Sequence, residues 1–309
     1  MTRVAFLGPH GTFTEEALLS QGDLAEGELL PIRSIPEVIG GVERGDVDLG
    51  VVPIENSIEG SVNATLDTLA FETDPEVLIQ RELVLNIDLN LVARPGTELA
   101  GIRQVSSHPH ASAQCREWLA RKLPGVEVVA ANSTAEAAQE IARSKRAGRA
   151  AISTALAANL YGLTVLAADV EDHPENQTRF VLLGRGIPAP TGHDKTSLVC
   201  FQSADRPGSL LAILHEFAAR AINLTKLESR PTKRGLGQYC FFIDCEGHLA
   251  DEVVADALRN LHAKHTVKFL GSYPIAGSEA GEARRKAHGK AWRAATAWVD
   301  DLRTRVQPA

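Results

Sequence analysis

The chain has 309 residues, 44% hydrophobic and 23% charged, the make-up of a soluble globular protein larger than one ordinary domain. A net charge of -7 at pH 7 lacks the basic footprint that nucleic acid or an anionic membrane surface requires, so neither is expected as a partner, while a local cationic pocket stays compatible with it. Cys115, Cys200, Cys240 and Cys245 show neither a CxxC nor a zinc-ligand spacing, and are expected as small buried residues, not a disulfide framework.

At the N-terminus, MTRVAFLGPHG has four apolar residues in a row before glycine, too few for a signal-peptide core, and no later run approaches a membrane span. A cytoplasmic chain is expected. RVAFLG reads as a buried strand and TEEALLS as a helix start, with Thr14 as N-cap and two acids in the first turn. The unit recurs in the helix SIPEVIGGVERGDVD, the strand LGVVPI and the helix VNATLDTLA, whose apolar runs suit a parallel sheet covered on both faces. LVLNIDLNLVA alternates in period two and is expected as one long strand crossing between lobes. Strands IRQVSS, VEVVA and RAAIS then alternate with helices HASAQCREWLARKL, TAEAAQEIARSK and TALAANLYG, before PENQTRF leads into the strand RFVLLGR.

The proline- and glycine-rich GIPAPTGHD marks a boundary. Beyond it the order strand KTSLVCFQS, helix GSLLAILHEFAARA, strands NLTKLESRP and QYCFFIDCEG, helix DEVVADALRNLHAKH and strand VKFLGSYP is βαββαβ, the ferredoxin-like arrangement. The alanine-rich tail carries Trp292, Ala295, Val299, Leu302 and Val306 on one helical stripe, expected to dock on another surface.

Two α/β lobes imply a cleft at strand ends, where small ligands bind. Four loops could line it. GPHGTFTEEA lacks the lysine and spacing of a nucleotide loop; it is either a strand-to-helix turn capped by Thr12 and Thr14 or an anion site built from helix amides. VVPIENSIEG sets Glu55, Asn56 and Ser57 after a strand, as ligand contacts or as helix caps. SSHPHASAQC offers Ser107, His108 and His110, but two histidines at i, i+2 without a third ligand make a poor zinc site, and no GxSxG elbow is present. PENQTRF is either a polar turn or a carboxylate-binding stretch that joins an amide, a hydroxyl and a guanidinium in Asn176, Thr178 and Arg179. The set fits an oxygen-rich carboxylated small molecule handled with no metal and no cofactor.

GPHGTFTEEA, VVPIENSIEGSV, SSHPHASAQC and NQTRF, in this order, resemble prephenate dehydratase, and DRPGSLLAILHEFAARAINLTKLESRP resembles the ACT domain that follows it in that family. The resemblance implies a monofunctional enzyme, a carbon-oxygen lyase of L-phenylalanine biosynthesis that converts prephenate to phenylpyruvate, water and carbon dioxide. It implies an α/β fold: a two-lobed periplasmic-binding-protein-like catalytic domain over 1–186, with lobes at about 1–80 plus 170–186 and about 81–169. A linker 187–195, a ferredoxin-like ACT regulatory domain over 196–275 and a helical tail over 276–309 would follow. It also implies L-phenylalanine as feedback effector and a homodimer or homotetramer.

By matching motifs, Thr178, Arg179 and Glu55 are implied as catalytic, with Thr178 donating a hydrogen bond to the departing hydroxyl, Glu55 as candidate proton source and Arg179 on the pyruvyl carboxylate. Thr12, Asn56, Ser57, Ser107, His108, Asn176 and Phe180 are implied as substrate-binding, with His110 a departure from the glutamine more usual there. Gly208, Ser209, Leu210, Asn223, Leu224, Glu228 and Arg230 are implied as the effector site. Arogenate as substrate, and a two-lobed solute sensor without catalysis, are the alternatives.

Overall fold

The computed structural model describes residues 1–202, 206–233, 235, 237–276 and 297–305. In chain order the elements are β1 (Arg3–Leu7), α1 (Phe13–Leu19), α2 (Gly22–Ala25), β2 (Glu28–Ile32), α3 (Ile35–Arg44), β3 (Leu49–Asn56), β4 (Gly60–Ser61), α4 (Asn63–Asp67), β5 (Val77–Asn86) and β6 (Asn90–Ala93). There follow β7 (Gln104–Ser107), α5 (Pro109–Ala113), α6 (Arg116–Lys122), β8 (Glu127–Ala130), α7 (Thr134–Arg143), β9 (Arg149–Ser153), α8 (Ala155–Leu160), β10 (Thr164–Ala167) and β11 (Gln177–Arg185). The C-terminal part holds β12 (Asp194–Phe201), α9 (Ser209–Ala218), β13 (Leu224–Pro231), β14 (Tyr239–Glu246), α10 (Glu252–Lys264) and β15 (Thr266–Pro274).

The chain divides into two compact units, Met1–Thr73 with Leu83–Leu183, and Asp74–Glu82 with Gly184–Ala309. Two sheets build the first unit, one ordered β2-β1-β3-β11-β5, with β4 beside β3 and with Val77–Glu82 of β5 counted in the second unit, and one ordered β10-β6-β9-β7-β8. This is the two-lobed binding-protein-like α/β architecture. Neither sheet is purely parallel as expected: β1 runs parallel to β2 and β3, but β11 is antiparallel to β3. Likewise β7 is parallel to β8 and β9, whereas β6 is antiparallel to β9. The reason is chain direction. β3 ends at Asn56 where β11 begins, so a strand returning from the second lobe must run opposite to those that leave the first.

Local signals set many element ends. Ser34, Ser133 and Thr154 cap α3, α7 and α8 by accepting from the third amide on, and Gly45 closes α3 at φ +75°, a left-handed value that glycine adopts without strain. Of Thr12 and Thr14, both expected as caps, it is Thr12 that caps α1: its hydroxyl accepts from the Glu15 amide and donates to the Leu7 carbonyl at 3.0 Å. Expected single elements are also divided. LVLNIDLNLVA breaks after Asn86 into β5 and β6, which belong to different sheets, and HASAQCREWLARKL breaks at Gln114 into α5 and α6. VNATLDTLA holds one α-helical turn, then a π-helical stretch over Thr68–Glu72.

Val4, Phe6, Leu18, Val51, Phe180 and Leu182 form the core behind the first sheet, and Leu89, Leu91, Val105, Cys115, Ala150 and Ile152 one behind the second. All four cysteines are buried thiols outside any disulfide; burial pushes the Cys200 and Cys245 thiols up to about 12. In the second unit the four-stranded sheet has the order β13-β14-β12-β15, antiparallel throughout, as βαββαβ connectivity requires. Of the tail stripe, Val299 and Leu302 lie in a helical segment and are exposed, while Trp292, Ala295 and Val306 lie outside the described residues. No helix among the described residues is long and apolar enough to cross a membrane.

Candidate active site

A cavity of about 1170 Å³ in the first unit takes its wall from strands of the first sheet and from loops and helices that flank the second. β3 and β11 set one side of it. Their register pairs Thr178 with Asn56 and Arg179 with Glu55, followed by a bulge between Arg179 and Phe180. Strand side chains alternate, so Thr178 and Phe180 reach the cavity and Arg179 does not. Phe180 also belongs to the core beneath.

Thr178 is buried, and its Oγ1 accepts from Asn56 Nδ2 at 2.9 Å. The same Asn56 amide donates to Asn176 Oδ1 at 2.8 Å, while its own oxygen accepts from the Ile58 and Glu59 amides at 3.0 and 2.9 Å. Asn176 is fully buried; its Nδ2 donates to Gln114 Oε1 at 2.9 Å, and Gln114 Nε2 donates to Glu59 Oε1 at 3.2 Å. Asn56, Asn176, Thr178 and His108 thus meet in one wall.

Four of the expected residues lie elsewhere than in this wall. Arg179 and Glu55 lie outside the wall and face each other, Nη1 to Oε2 at 3.5 Å, as cross-strand partners of opposite charge. Ser107 is fully buried and donates to the Ile152 carbonyl at 2.7 Å, which ties β7 to β9. Ser57 also lies outside the wall, accepting from the Gln177 amide at 2.9 Å and donating to Asn176 Oδ1 at 3.3 Å.

Thr12 does line the cavity, but the turn before it is not an open anion site. The buried Glu15 folds back so that Oε2 accepts from the Gly11 amide at 2.5 Å and Oε1 meets His10 Nδ1 at 2.6 Å. A carboxylate of the chain itself already occupies the amide that a ligand would use. Gly11 is required there: its φ is +88°, and an added Cβ would come within 2.9 Å of Ala157 Cα.

The wall also contains residues not singled out from the sequence, Gln114, Glu59 and Arg33. Gln114 follows His110 by four, a spacing that puts both on one helical face and could have revealed it. Arg33, at the exposed end of β2, is the one arginine or lysine in this wall among the described residues. His108 stacks edge-on against His110 at 5.1 Å. Burial, and then the neighbouring His110, hold the His108 pKa below its ordinary value, against the pull of Glu59. Elsewhere, Asp88, Asp169 and Glu171 bring carboxylate oxygens within 4.8 Å of one another, but none of the three lines the cavity.

The second unit has its own cavity of about 650 Å³, between α9 and β14, lined by Gly208, Ser209, Leu210, Ser229 and Phe241 among others. The other expected effector residues do not line it. Along β13 exposure alternates, so Glu228 and Arg230 share the face opposite Ser229; Glu228 pairs there with Lys226 at 3.3 Å and with Arg230 at 3.4 Å. Asn223 Nδ2 donates to Glu246 Oε1 at 3.2 Å, and Leu224 lines a separate cavity of about 390 Å³.

Residues 4–187 match the family model "Prephenate dehydratase", and 196–263 the model "ACT domain". The chain belongs to the prephenate dehydratase family. A curated prephenate dehydratase of Mycolicibacterium vanbaalenii is 48% identical over 292 residues, 89% of this chain and 91% of that one. The solved prephenate dehydratase of Arthrobacter aurescens, in complex with L-Phe, is 42% identical with a TM-score of 0.87, covering 98% of this chain and all of that one (100%). A protein described as a quorum-quenching acylase is 29% identical with a TM-score of 0.79, covering 89% and 98%, so this fold is not bound to one chemistry. The higher identity lies with the dehydratases. The chain is an enzyme of phenylalanine biosynthesis that converts prephenate to phenylpyruvate, water and carbon dioxide, and its ACT domain follows the catalytic one.

Proposed function

We propose that the cavity of the first unit binds prephenate, with Thr178 as the group that acts on its departing hydroxyl. The single observation carrying this is that the Thr178 oxygen accepts from Asn56 while its side chain lines the cavity, so the hydroxyl proton has a ligand as its partner. In the reaction the bond between ring and carboxylate breaks, its electron pair moves through the ring as it becomes aromatic, and the 4-hydroxyl leaves and takes up a proton to become water. A threonine hydroxyl is too weak an acid to be the net proton source at neutral pH, so its part is to donate a hydrogen bond to the oxygen as negative charge develops. Such a donor stabilises the transition state more than the bound substrate, which is what raises kcat.

The wall also suggests how the substrate's two carboxylates are met. Arg33 takes the part first given to Arg179, as counter-charge to the pyruvyl carboxylate, because it reaches the cavity and a guanidinium pairs with a carboxylate bidentately. The ring carboxylate is better left unpaired, since a tight ion pair would stabilise the ground state of a group that must leave. Arg179 and Glu55 support Thr178 from behind the strand.

The second unit is read as the effector domain over 196–275, with L-phenylalanine in the cavity beside α9; Leu214, Tyr239 and Phe241 suit its ring. The Arthrobacter aurescens relative carries L-Phe. Exposed Leu211, Leu227 and Tyr239 are apolar surface that suits burial in a homodimer or homotetramer.

The test is phenylpyruvate formation from prephenate by the purified chain, with and without phenylalanine, beside Thr178→Ala and Gly208→Val. Turnover lost in Thr178→Ala, and feedback inhibition lost in Gly208→Val with activity kept, would support both sites. Full turnover by Thr178→Ala would remove the catalytic assignment, and full inhibition of Gly208→Val the effector one.

A further inference from the structure

The hydroxyl of Thr178 is one end of a chain of side-chain hydrogen bonds whose other end is a carboxylate. From Glu59 the chain runs through Gln114, Asn176 and Asn56 to Thr178, with separations of 3.2, 2.9, 2.8 and 2.9 Å. It crosses the cavity wall from the loop after β3 to the turn between α5 and α6 and back to β11. Three of its five members are amides, and an amide presents a donor at one end and an acceptor at the other, so its orientation is decided by its neighbours.

Two amides of this chain, Asn56 and Gln114, admit one orientation each. Asn56 is held by two backbone amides on its oxygen, which turns its NH2 toward Asn176 and Thr178. Gln114 faces Glu59, and an ionised carboxylate only accepts, so the Gln114 NH2 must point at it and its oxygen at Asn176. Asn176 then donates to Gln114 and accepts from Asn56, and Ser57 also donates to that same Asn176 oxygen. Were Gln114 reversed, it would set NH2 against NH2 at Asn176, a fully buried side chain with no solvent to take the orphaned donor. The second oxygen of Glu59 lies 3.4 Å from His110 Nδ1, which steadies the carboxylate.

We propose that Glu59 is a positioning residue for the dehydration: its carboxylate holds the Gln114 amide, and through it Asn176, in the one orientation that agrees with Asn56, whose own orientation the Ile58 and Glu59 backbone amides set, so that the Thr178 oxygen is kept an acceptor and its proton is left for the substrate. The inference rests on the role given to Thr178 above. Glu59 acts through the amides and donates no proton itself. It is partly exposed at 37%, so its replacement by glutamine leaves the core untouched.

The experiment measures kcat and KM for prephenate with the full chain, for wild type, Thr178→Ala, Glu59→Gln, Gln114→Glu and the reciprocal double variant. An amide at position 59 can present either end, so Glu59→Gln should lower kcat about tenfold or more, the scale of a misdirected catalytic hydrogen bond, with KM little changed. Gln114→Glu alone sets two carboxylates together and should also lose kcat. In the double variant the new amide donates to the new carboxylate, whose other oxygen still accepts from Asn176, so the direction of the chain is restored. Its kcat should return to within a few-fold of wild type, a rescue that a merely structural role for Glu59 would not produce. Wild-type kcat in Glu59→Gln, or a double variant no better than Glu59→Gln, beside an inactive Thr178→Ala, would overturn this inference alone. A fully active Thr178→Ala would instead remove the reading of Thr178, and this one with it.

Discussion

Asn56 and Thr178 face each other across the antiparallel ladder of β3 and β11, the amide nitrogen of one 2.9 Å from the hydroxyl oxygen of the other, although 122 positions separate them in the chain. Two strands from distant parts of the sequence thereby set a donor and an acceptor before any ligand enters. Such preorganisation makes an electrostatic contribution effective, since no dipole needs to turn during the reaction. Thr178→Ala should lower kcat about a hundredfold or more, and Asn56→Ala about tenfold, because the latter leaves the hydroxyl present but free to rotate. Steady-state kinetics with prephenate checks both. Equal activity of Asn56→Ala and wild type would show that the orientation of the hydroxyl is immaterial.

Arg33 and Arg179 should separate in their kinetics. Arg33 lines the cavity, whereas Arg179 faces Glu55 behind it. Arg33→Ala is expected to raise KM about tenfold, the worth of one charge-assisted contact, with kcat nearly unchanged. Arg179→Lys preserves the charge opposite Glu55 and should leave KM within about twofold of wild type. A large rise in KM for Arg179→Lys alone would return the carboxylate to the TRF segment.

The second unit holds a buried ion pair. Lys195 Nζ lies 2.8 Å from Glu82 Oε2, both side chains at 10% exposure or less, and the other Glu82 oxygen accepts from the Ala276 amide at 3.0 Å. Glu82→Ala would leave a buried ammonium without its partner and should destabilise by about 3 to 5 kcal/mol. Replacing the pair together, Glu82→Leu with Lys195→Met, should cost far less, since no charge remains to be desolvated. Urea denaturation of the three proteins distinguishes these outcomes.

His108 gives the first unit an acid-side weakness. Its pKa is held below the ordinary 6.5 by burial and by His110, so between that value and the lower folded one the unfolded chain binds more protons than the folded chain. Stability therefore falls as pH drops through this window and is free of the penalty above it. His108→Gln should flatten this part of the stability curve, as followed by urea denaturation at steps between about pH 5 and 7.5. An unchanged slope in the variant would assign the proton uptake to another group.

Much of this protein can be read from its sequence because the signals are local. Caps at Ser34, Ser133 and Thr154, the alternation along β13 and the βαββαβ order act within a few residues of where they are written. The loops bearing Asn56, His108, Asn176 and Thr178 could be picked out for the same reason, since each follows or precedes an apolar strand. Which side of a strand meets the cavity is a different matter. Neighbouring Thr178 and Arg179 are equally polar, and only the pairing of β11 with β3 turns one inward and leaves the other against Glu55. Glu15 reads as an ordinary acid in a first helical turn until the turn brings Gly11 under its carboxylate. Nor does spacing alone join Glu59 to Gln114, 55 positions on and in the other lobe. Periodicity and capping thus determined the elements and their order, whereas the partners of each side chain were decided by strand register and by the meeting of two lobes, because hydrogen bonds across a cavity depend on distances in space that no local pattern encodes.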